Sequence, residues 1–441
     1  MSKLQASIKS QNTKNPIRNI VDNLKRPMDH PSPFINLGLG DPTIHGNLPR
    51  PDGLTNIIKD VLMTSANDGY GPSTGLVAAR EAIAKVNSLE DQGYSVSPDN
   101  VVIGSGCSGA LELVVSVLVN PGDNILIPNP GFALYQVLTE AIGGEVRKYN
   151  LKPEANWECD LAQMESLIND RTKAILINNP SNPCGSNFSR EHLVQVAALA
   201  KKYNLPVIAD EIYAGVVFNG TFTAIHEVTT EIPIFSVGGI AKEFVVPGWR
   251  VGWVVVHDRT EGSVASEVIG GLKSLSQLIL GANSIVQACL PRLLSQDPSS
   301  PDFDTLKTYN TKYCEILRVN AELCCTEVAR CNRALATVTN NTADVLSISK
   351  PAGAMYAMIG IDMTQLDTIH DDAEFARLLL HEENVSVLPG ICFGMKDYVR
   401  FVICPSDTIL QDAFNRLLSF CTRHLQSNAG ALSSPMKNLQ G

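Results

Sequence analysis

The chain has 441 residues, of which 44% are hydrophobic and 18% charged, and its formal net charge at pH 7 is -10. That mixture supports a large packed core and excludes a globally disordered chain. The acidic balance excludes the broad basic face expected of a nucleic-acid-binding protein, and the longest apolar run, Leu113 to Val119, is too short to cross a membrane.

In chain order, residues 1–49 read as an N-terminal arm with part of a smaller domain. From 50 to 325, short apolar runs alternate with stretches of helical pattern. Val101-Val102-Ile103 leads to a helix-like stretch from Ala110; Asn124 to Ile127 ends at Pro128, Ala174 to Ile177 at Asn178, and Pro206 to Ala209 at Asp210. Ile234-Phe235 is read as ending at Ser236, and Val251 to Val256 follows. Strands alternating with helices predict an α/β fold, a mostly parallel sheet flanked by helices. In such sheets ligands gather beyond the carboxyl ends of the strands. There stand Gly104-Ser105-Gly106, Asn178-Asn179, Asp210-Glu211 and Ser236. After about residue 300 a long helix is expected from Thr305 to Arg333. Strand-like pieces follow at Leu335–Val338, Val345–Ser349, Val385–Leu388 and Tyr398–Ile403, which make 326–425 a smaller α/β domain. Residues 426–441, rich in Ser, Gly, Asn and Pro, predict a disordered tail.

Eleven cysteines without a Cys-x-x-Cys pair show neither metal spacing nor a disulfide framework, and read as reduced thiols. The expected location is therefore cytoplasmic. Residues 1–21 carry Lys3, Lys9, Lys14 and Arg18 and no acid, but they lack the arginine-rich amphipathic face of a mitochondrial presequence.

The most informative segment runs from Ser236 to Trp253. Lys242 lies among small and apolar residues, and Arg250 follows eight positions later. An amine in such a setting is available to a carbonyl, and an arginine nearby can grip a phosphate through paired hydrogen bonds. By themselves these residues fit a surface lysine and a structural arginine equally well. Asp210-Glu-Ile-Tyr213 follows a strand; an aspartate there can face a pyridine nitrogen, or merely cap a helix. Asn178-Asn-Pro-Ser-Asn182-Pro-Cys-Gly185 is a loop that can be no more than a turn. Gly104-Ser-Gly-Cys107-Ser108-Gly109 opens a helix after a strand, a geometry that favours an anion.

Taken in order, Asn-Pro-x-Asn-Pro-x-Gly, Asp-x-x-Tyr, and Lys with Arg eight residues on resemble the fold-type-I aminotransferases that use pyridoxal 5'-phosphate. Asn15-Pro-Ile-Arg18, Gly40-Asp-Pro-Thr43, Gly46-Asn-Leu-Pro49, Ser105-Gly-Cys-Ser108, Gly238-Gly-Ile-Ala-Lys242 and Val246-Pro-Gly-Trp-Arg250 are similar to the tyrosine aminotransferase branch. The matches run from about residue 15 to 425. The resemblance implies that Lys242 is the Schiff-base lysine and proton carrier, and that Asp210 meets the ring nitrogen. It places Tyr213 and Asn182 at the ring oxygen and Phe132 on the ring face. Gly106, Cys107, Ser108 and Arg250 would hold the phosphate. Ser236 would stand in for the phosphate-contacting serine that many relatives have where this chain has Gly239. Tyr70 would reach the phosphate of the neighbouring subunit, which implies a homodimer. Arg400 and Gly40 would bind the substrate carboxylate, with Asn182 beside it. No metal is implied.

The activity this implies is transfer of an amino group from an aromatic amino acid, tyrosine first, to 2-oxoglutarate by a ping-pong route. The alternatives are a carbon–sulfur lyase on the same scaffold, or another donor such as nicotianamine or an aliphatic amino acid. A non-catalytic protein of this fold would not need Lys242, Asp210, Tyr213, Asn182 and Arg250 together.

Overall fold

The structure, a computed structural model, describes residues 4–21, 25–48, 50–339 and 342–425; the tail expected over 426–441 lies outside them. Eight strands form one sheet: β1 (Val101–Gly104), β2 (Asn124–Asn129), β3 (Glu145–Lys152), β4 (Glu158–Cys159), β5 (Thr172–Asn178), β6 (Val207–Asp210), β7 (Ile234–Gly239) and β8 (Gly252–His257). Their order across the sheet is β1-β8-β7-β6-β5-β2-β3-β4. From β3 to β7 the neighbours are parallel. β8 runs antiparallel between β1 and β7, and β4 runs antiparallel to β3.

Strand alternation divides the side chains between two cores. Leu176, Ile208, Phe235 and Val237 meet the helix α1 (Gly106–Leu118) through Ala110, Leu111 and Val114. Ile175, Ile177, Val207 and Ile234 enter the core on the other face. Each fully buried aliphatic side chain contributes about 1.5–3 kcal/mol. Burial on both faces is why these strands read as unbroken apolar runs. β3 escaped that reading because its Glu-Val-Arg-Lys-Tyr-Asn-Leu-Lys sequence is only partly buried.

Two expectations are corrected. β7 does not end at Ser236 but runs to Gly239, because Gly238 and Gly239 pair with Trp253 and Gly252. Leu335–Val338 is not strand; it belongs to the helix α2 (Phe303–Thr339). Leu317, Ala321, Cys324, Val328, Cys331 and Leu335 are all buried in one core. Their spacing of three and four residues makes a helical stripe that continues through Leu335.

The smaller sheet contains β9 (Leu346–Ile348), β10 (Tyr356–Ile361), β11 (Leu388–Pro389) and β12 (Tyr398–Val402), antiparallel throughout in the order β9-β10-β12-β11. α2 and the helix α3 (Asp407–His424) cover it. The N-terminal segment Ile35–Asn36 pairs in parallel with Val385–Ser386. Leu37 donates to Ser386 O at 2.8 Å and accepts from Val402 N at 2.9 Å. This ladder carries the following residues, Gly38 to Gly40, across to the ends of the large sheet.

Candidate active site

A cavity of about 580 Å³ opens where β5 and β6 end, between the large sheet and the smaller one. Asn178, Asn182, Asp210 and Tyr213 line it from those strand ends, and Lys242 lines it from the turn after β7. Lys242 Nζ donates to Gly40 O at 2.8 Å. A Cβ on Gly40 would stand 2.7 Å from the Tyr356 hydroxyl, so only glycine lets the N-terminal segment pass this close.

Asp210 is 3% exposed. Its carboxylate accepts from Tyr135 Oη at 2.7 Å, Cys107 Sγ at 3.5 Å and Ile212 N at 3.3 Å. None of these donors is a cation. Burial therefore pushes its pKa above the usual carboxylate range, although those hydrogen bonds pull it back. Tyr213 Oη lies 2.8 Å from Tyr356 Oη. Burial, with the neighbouring Tyr356 second, raises the Tyr213 pKa.

At the other end of the cavity, α1 begins at Gly106 with φ +73°. A Cβ there would overlap the Arg250 guanidinium. Arg250 Nη2 donates to Ser105 O at 3.1 Å and Nη1 to Pro247 O at 3.2 Å. Cys107, Ser108 and Arg250 line the cavity. The free N–H groups of a helix start beside a guanidinium make a strong anion cradle.

Arg400, on β12, is 3% exposed. Nη1 donates to Asn182 Oδ1 at 2.9 Å and Nη2 to Gly38 O at 2.6 Å, while Nε is buried without a partner. Its guanidinium carbon stands 4.3 Å from the Tyr356 ring centroid and 4.8 Å from that of Phe393. Burial pulls its pKa down. A guanidinium held flat by two rings, with donors to spare and no acid, is poised to take a carboxylate.

Of the residues singled out in the sequence, Gly40, Cys107, Ser108, Phe132, Asn182, Asp210, Tyr213, Lys242, Arg250 and Arg400 line this one cavity, and Gly106 supports its Arg250 wall. Ser236 does not. In mid-strand on β7 it opens onto a different cavity beside Glu211, while its neighbours Phe235 and Val237 take the α1 face. Its assignment to the phosphate is withdrawn. Tyr70 is 94% exposed and does not line this cavity. Sequence reasoning missed Tyr135 and Tyr356. Tyr135 lies in the first turn of the helix Leu134–Ala141, three positions after Phe132 in the loop that leads into it. Tyr356 follows Pro351-Ala352-Gly353 on a strand that sequence reading missed.

The residues present fit pyridoxal phosphate. The buried Asp210 lacks a cation, as the partner of a protonated ring nitrogen should. The cradle of Gly106, Cys107, Ser108 and Arg250 suits a phosphate. Lys242 lines the same cavity.

The family model for aminotransferase class I and II matches residues 32–417. The chain is 40% identical to the tyrosine aminotransferase of Mus musculus over 423 residues, 96% of this chain and 88% of that one. It is 32% identical to the S-alkyl-thiohydroximate lyase of Arabidopsis thaliana, over 89% of this chain and 80% of that one. The crystal structure of tyrosine aminotransferase from Leishmania infantum superposes with a TM-score of 0.86 at 34% identity, covering 97% of this chain and all of the other.

Proposed function

The chain belongs to the class I and II aminotransferases and is a pyridoxal-phosphate-dependent aminotransferase, and from that premise we propose that it moves the amino group of an aromatic amino acid, tyrosine first, to 2-oxoglutarate in a ping-pong cycle. The observation that carries this reading is a pair of buried charges. Arg400 and Asp210 line one cavity with Lys242, and among the described residues neither has an ionic partner. An unpaired buried charge is costly, and a ligand that supplies its counter-charge is bound with that cost relieved.

When bound, pyridoxal phosphate supplies an aldehyde that condenses with amines and a protonated ring that accepts electron density from the substrate Cα. This chain's residues supply the rest. Arg400 fixes the α-carboxylate, a charge-assisted contact worth roughly 1.5–3 kcal/mol. The Lys242 amine holds and delivers the proton exchanged at Cα. Asp210 would keep the ring nitrogen charged, and Tyr213 and Asn182 would hold the ring oxygen. Phe132 would cover the ring, while Gly106, Cys107, Ser108 and Arg250 would anchor the phosphate.

Arg400 treats every amino acid alike, so the side chain must be read elsewhere. Phe34, Leu39 and Leu388 give the cavity an apolar side that suits an aromatic ring. Arg18 and Arg26 line the same cavity and have no acidic partner among the described residues. They supply positive charge for the second carboxylate of a 2-oxo diacid. The similarity to tyrosine aminotransferases supports the donor. The eleven cysteines, all free thiols, support a cytoplasmic location. The exposed Tyr70 supports a homodimer in which each subunit completes the other's site.

The test is kcat/KM for tyrosine, phenylalanine, leucine, alanine and aspartate against 2-oxoglutarate. Tyrosine should lead, with leucine graded below it, since a methylene is worth only about 1–3 kcal/mol in such a pocket. Alanine or aspartate ahead of tyrosine overturns the donor. The likeness to the thiohydroximate lyase favours one second reading, carbon–sulfur cleavage. Release of pyruvate and thiol from a cysteine conjugate without any oxo acid would establish it.

A further inference from the structure

Across Ile212 from the active site lies a second cavity, of about 670 Å³, and Ile212 lines both. Each main active-site residue has an acidic neighbour on this side: Glu211 follows Asp210, and Glu243 follows Lys242. The Glu211 carboxyl accepts a long bond from Ile225 N, at 3.3 Å, and lies against the Ser236 hydroxyl, which lowers its pKa slightly against the effect of burial. The Glu243 carboxyl fills the space beside Gly215, where any Cβ would overlap it. Ser236 Oγ and both ring nitrogens of His226 line the same cavity, and all are buried without a hydrogen bond of good geometry. Ser236 is 3% exposed and His226 4%. The Tyr309 hydroxyl is a further buried group without a partner. Phe244, Trp253 and Phe303 supply aromatic wall.

Buried polar groups in native proteins are satisfied by protein, water or ligand, and this cavity falls in the size range of small-molecule sites. We propose that it is a second ligand site that takes a small organic ammonium ion, held by the Glu211 and Glu243 carboxylates against the aromatic wall, with the hydroxyls of Ser236 and Tyr309 as additional acceptors. The chemistry selects this class. Among the described residues no group of His, Cys, Asp and Glu is placed to hold a metal ion. An anion would face Glu211, Glu227 and Glu243, with only Lys307, above the Phe303 ring, as a cation on the lining. A neutral apolar guest would leave the acids and the hydroxyls unsatisfied. An ammonium carbon skeleton matches both walls, since aromatic faces attract cations.

A proton linkage follows. Burial pushes Glu211 up to about 8 and Glu243 up to about 7, while burial drives His226 down to about 4, so it is uncharged at neutral pH. The other ionisable groups facing the cavity are Glu227, Lys307 and Tyr309, with Arg259 near His226 and Asp210 near Glu211. A bound cation favours the ionised carboxylates. Binding must then release protons near neutral pH and tighten as pH rises through 7 to 8.

The experiment is calorimetric titration of the holoenzyme with choline, whose quaternary nitrogen cannot condense with an aldehyde. Its neutral isostere 3,3-dimethylbutanol is the control. Choline should bind saturably, with a heat that depends on the ionisation enthalpy of the buffer. The same affinity should be seen when the active site is filled with excess 2-oxoglutarate. Glu243→Gln keeps the shape and removes the charge, and should weaken binding by about tenfold or more while the fold, read by circular dichroism, is unchanged. Absence of saturable binding, equal binding of the neutral isostere, or competition with 2-oxoglutarate would each overturn the proposal. None of these outcomes touches the assignment of the amino donor.

Discussion

At Asp210 a carboxylate is buried among neutral donors, and burial lifts its pKa. A charged ring nitrogen beside it would bring the pKa back down, so cofactor and carboxylate stabilise each other's ionised forms. Asp210→Ala should therefore slow the half-reaction from amino acid to oxo acid by on the order of a thousandfold, while Asp210→Glu is milder. Single-turnover absorbance changes measure it. A rate near that of the parent protein would reduce Asp210 to a structural residue. Tyr135, which holds the second carboxylate oxygen at 2.7 Å, orients the group.

Among the elements, the start of α1 and the end of β8 carry separate predictions. Gly106 needs φ +73° and leaves no room for a Cβ beside Arg250. Gly106→Ala should cost about 1–3 kcal/mol in cofactor affinity, read as a weaker dissociation constant for pyridoxal phosphate in the reconstituted apoenzyme. Unchanged affinity would separate this turn from the phosphate. The second prediction concerns His226 and His257, whose rings stack at 3.8 Å. Burial lowers His226 to about 4 and lowers His257 further from its ordinary value. The unfolded chain takes up both protons below about pH 6.5, whereas folded His226 refuses its proton until about 4 and burial also disfavours the protonated form of His257. Their contribution to stability is thus present above pH 6.5 and lost as pH falls toward 4. Glu211 and Glu243 act in the opposite sense, since their raised pKa values favour the fold at low pH and less so as pH rises through 7 to 8. A variant isolates the histidine limb. His226→Phe removes the titrating ring and keeps an aromatic face against His257. It should gain up to roughly 3 kcal/mol over the parent between pH 7 and pH 4. Parallel urea titrations across that range decide it; a gap that stays constant with pH would contradict the shift.

For the whole molecule, Tyr70 is the residue that its own subunit leaves unexplained. At 94% exposure an aromatic side chain has no packing role within one chain, and Leu278, Ile279 and Leu280 are also exposed, at 80%, 58% and 61%. Exposed apolar patches of this kind mark association surfaces. If each site takes Tyr70 from the opposite subunit, a Tyr70→Phe subunit paired with a Lys242→Ala subunit makes one site with both defects and one with neither. Mixing the two inactive or weakened parents should then restore activity above either. Hybrids no better than the parents would mean that the sites are not shared.

Legible along the chain were the alternation of strand and helix, the residues at the ends of β5 and β6, and the spacing of Lys242 and Arg250. Each is local: an apolar run buried on both faces and the polar residues that end it follow from neighbours along the chain. The long helix was legible too, but its end was not. Leu-Ala-Thr-Val at 335–338 suits a strand as well as a helix turn, and only the core around Leu317 to Leu335 decides between them. Ser236 shows the same limit, because whether it ends β7 or lies within it depends on how far pairing with β8 continues. Tertiary structure alone brought Gly40 to Lys242, Tyr356 to both Tyr213 and Arg400, and Arg18 and Arg26 to the substrate cavity. Lys242 and Gly40 are 202 residues apart and Arg400 and Gly38 are 362 apart, and no periodicity along a chain encodes which distant backbone a side chain will meet. The second cavity lay wholly beyond the sequence, since Glu211 and Glu243 gain their meaning from the opposite walls that fold against them.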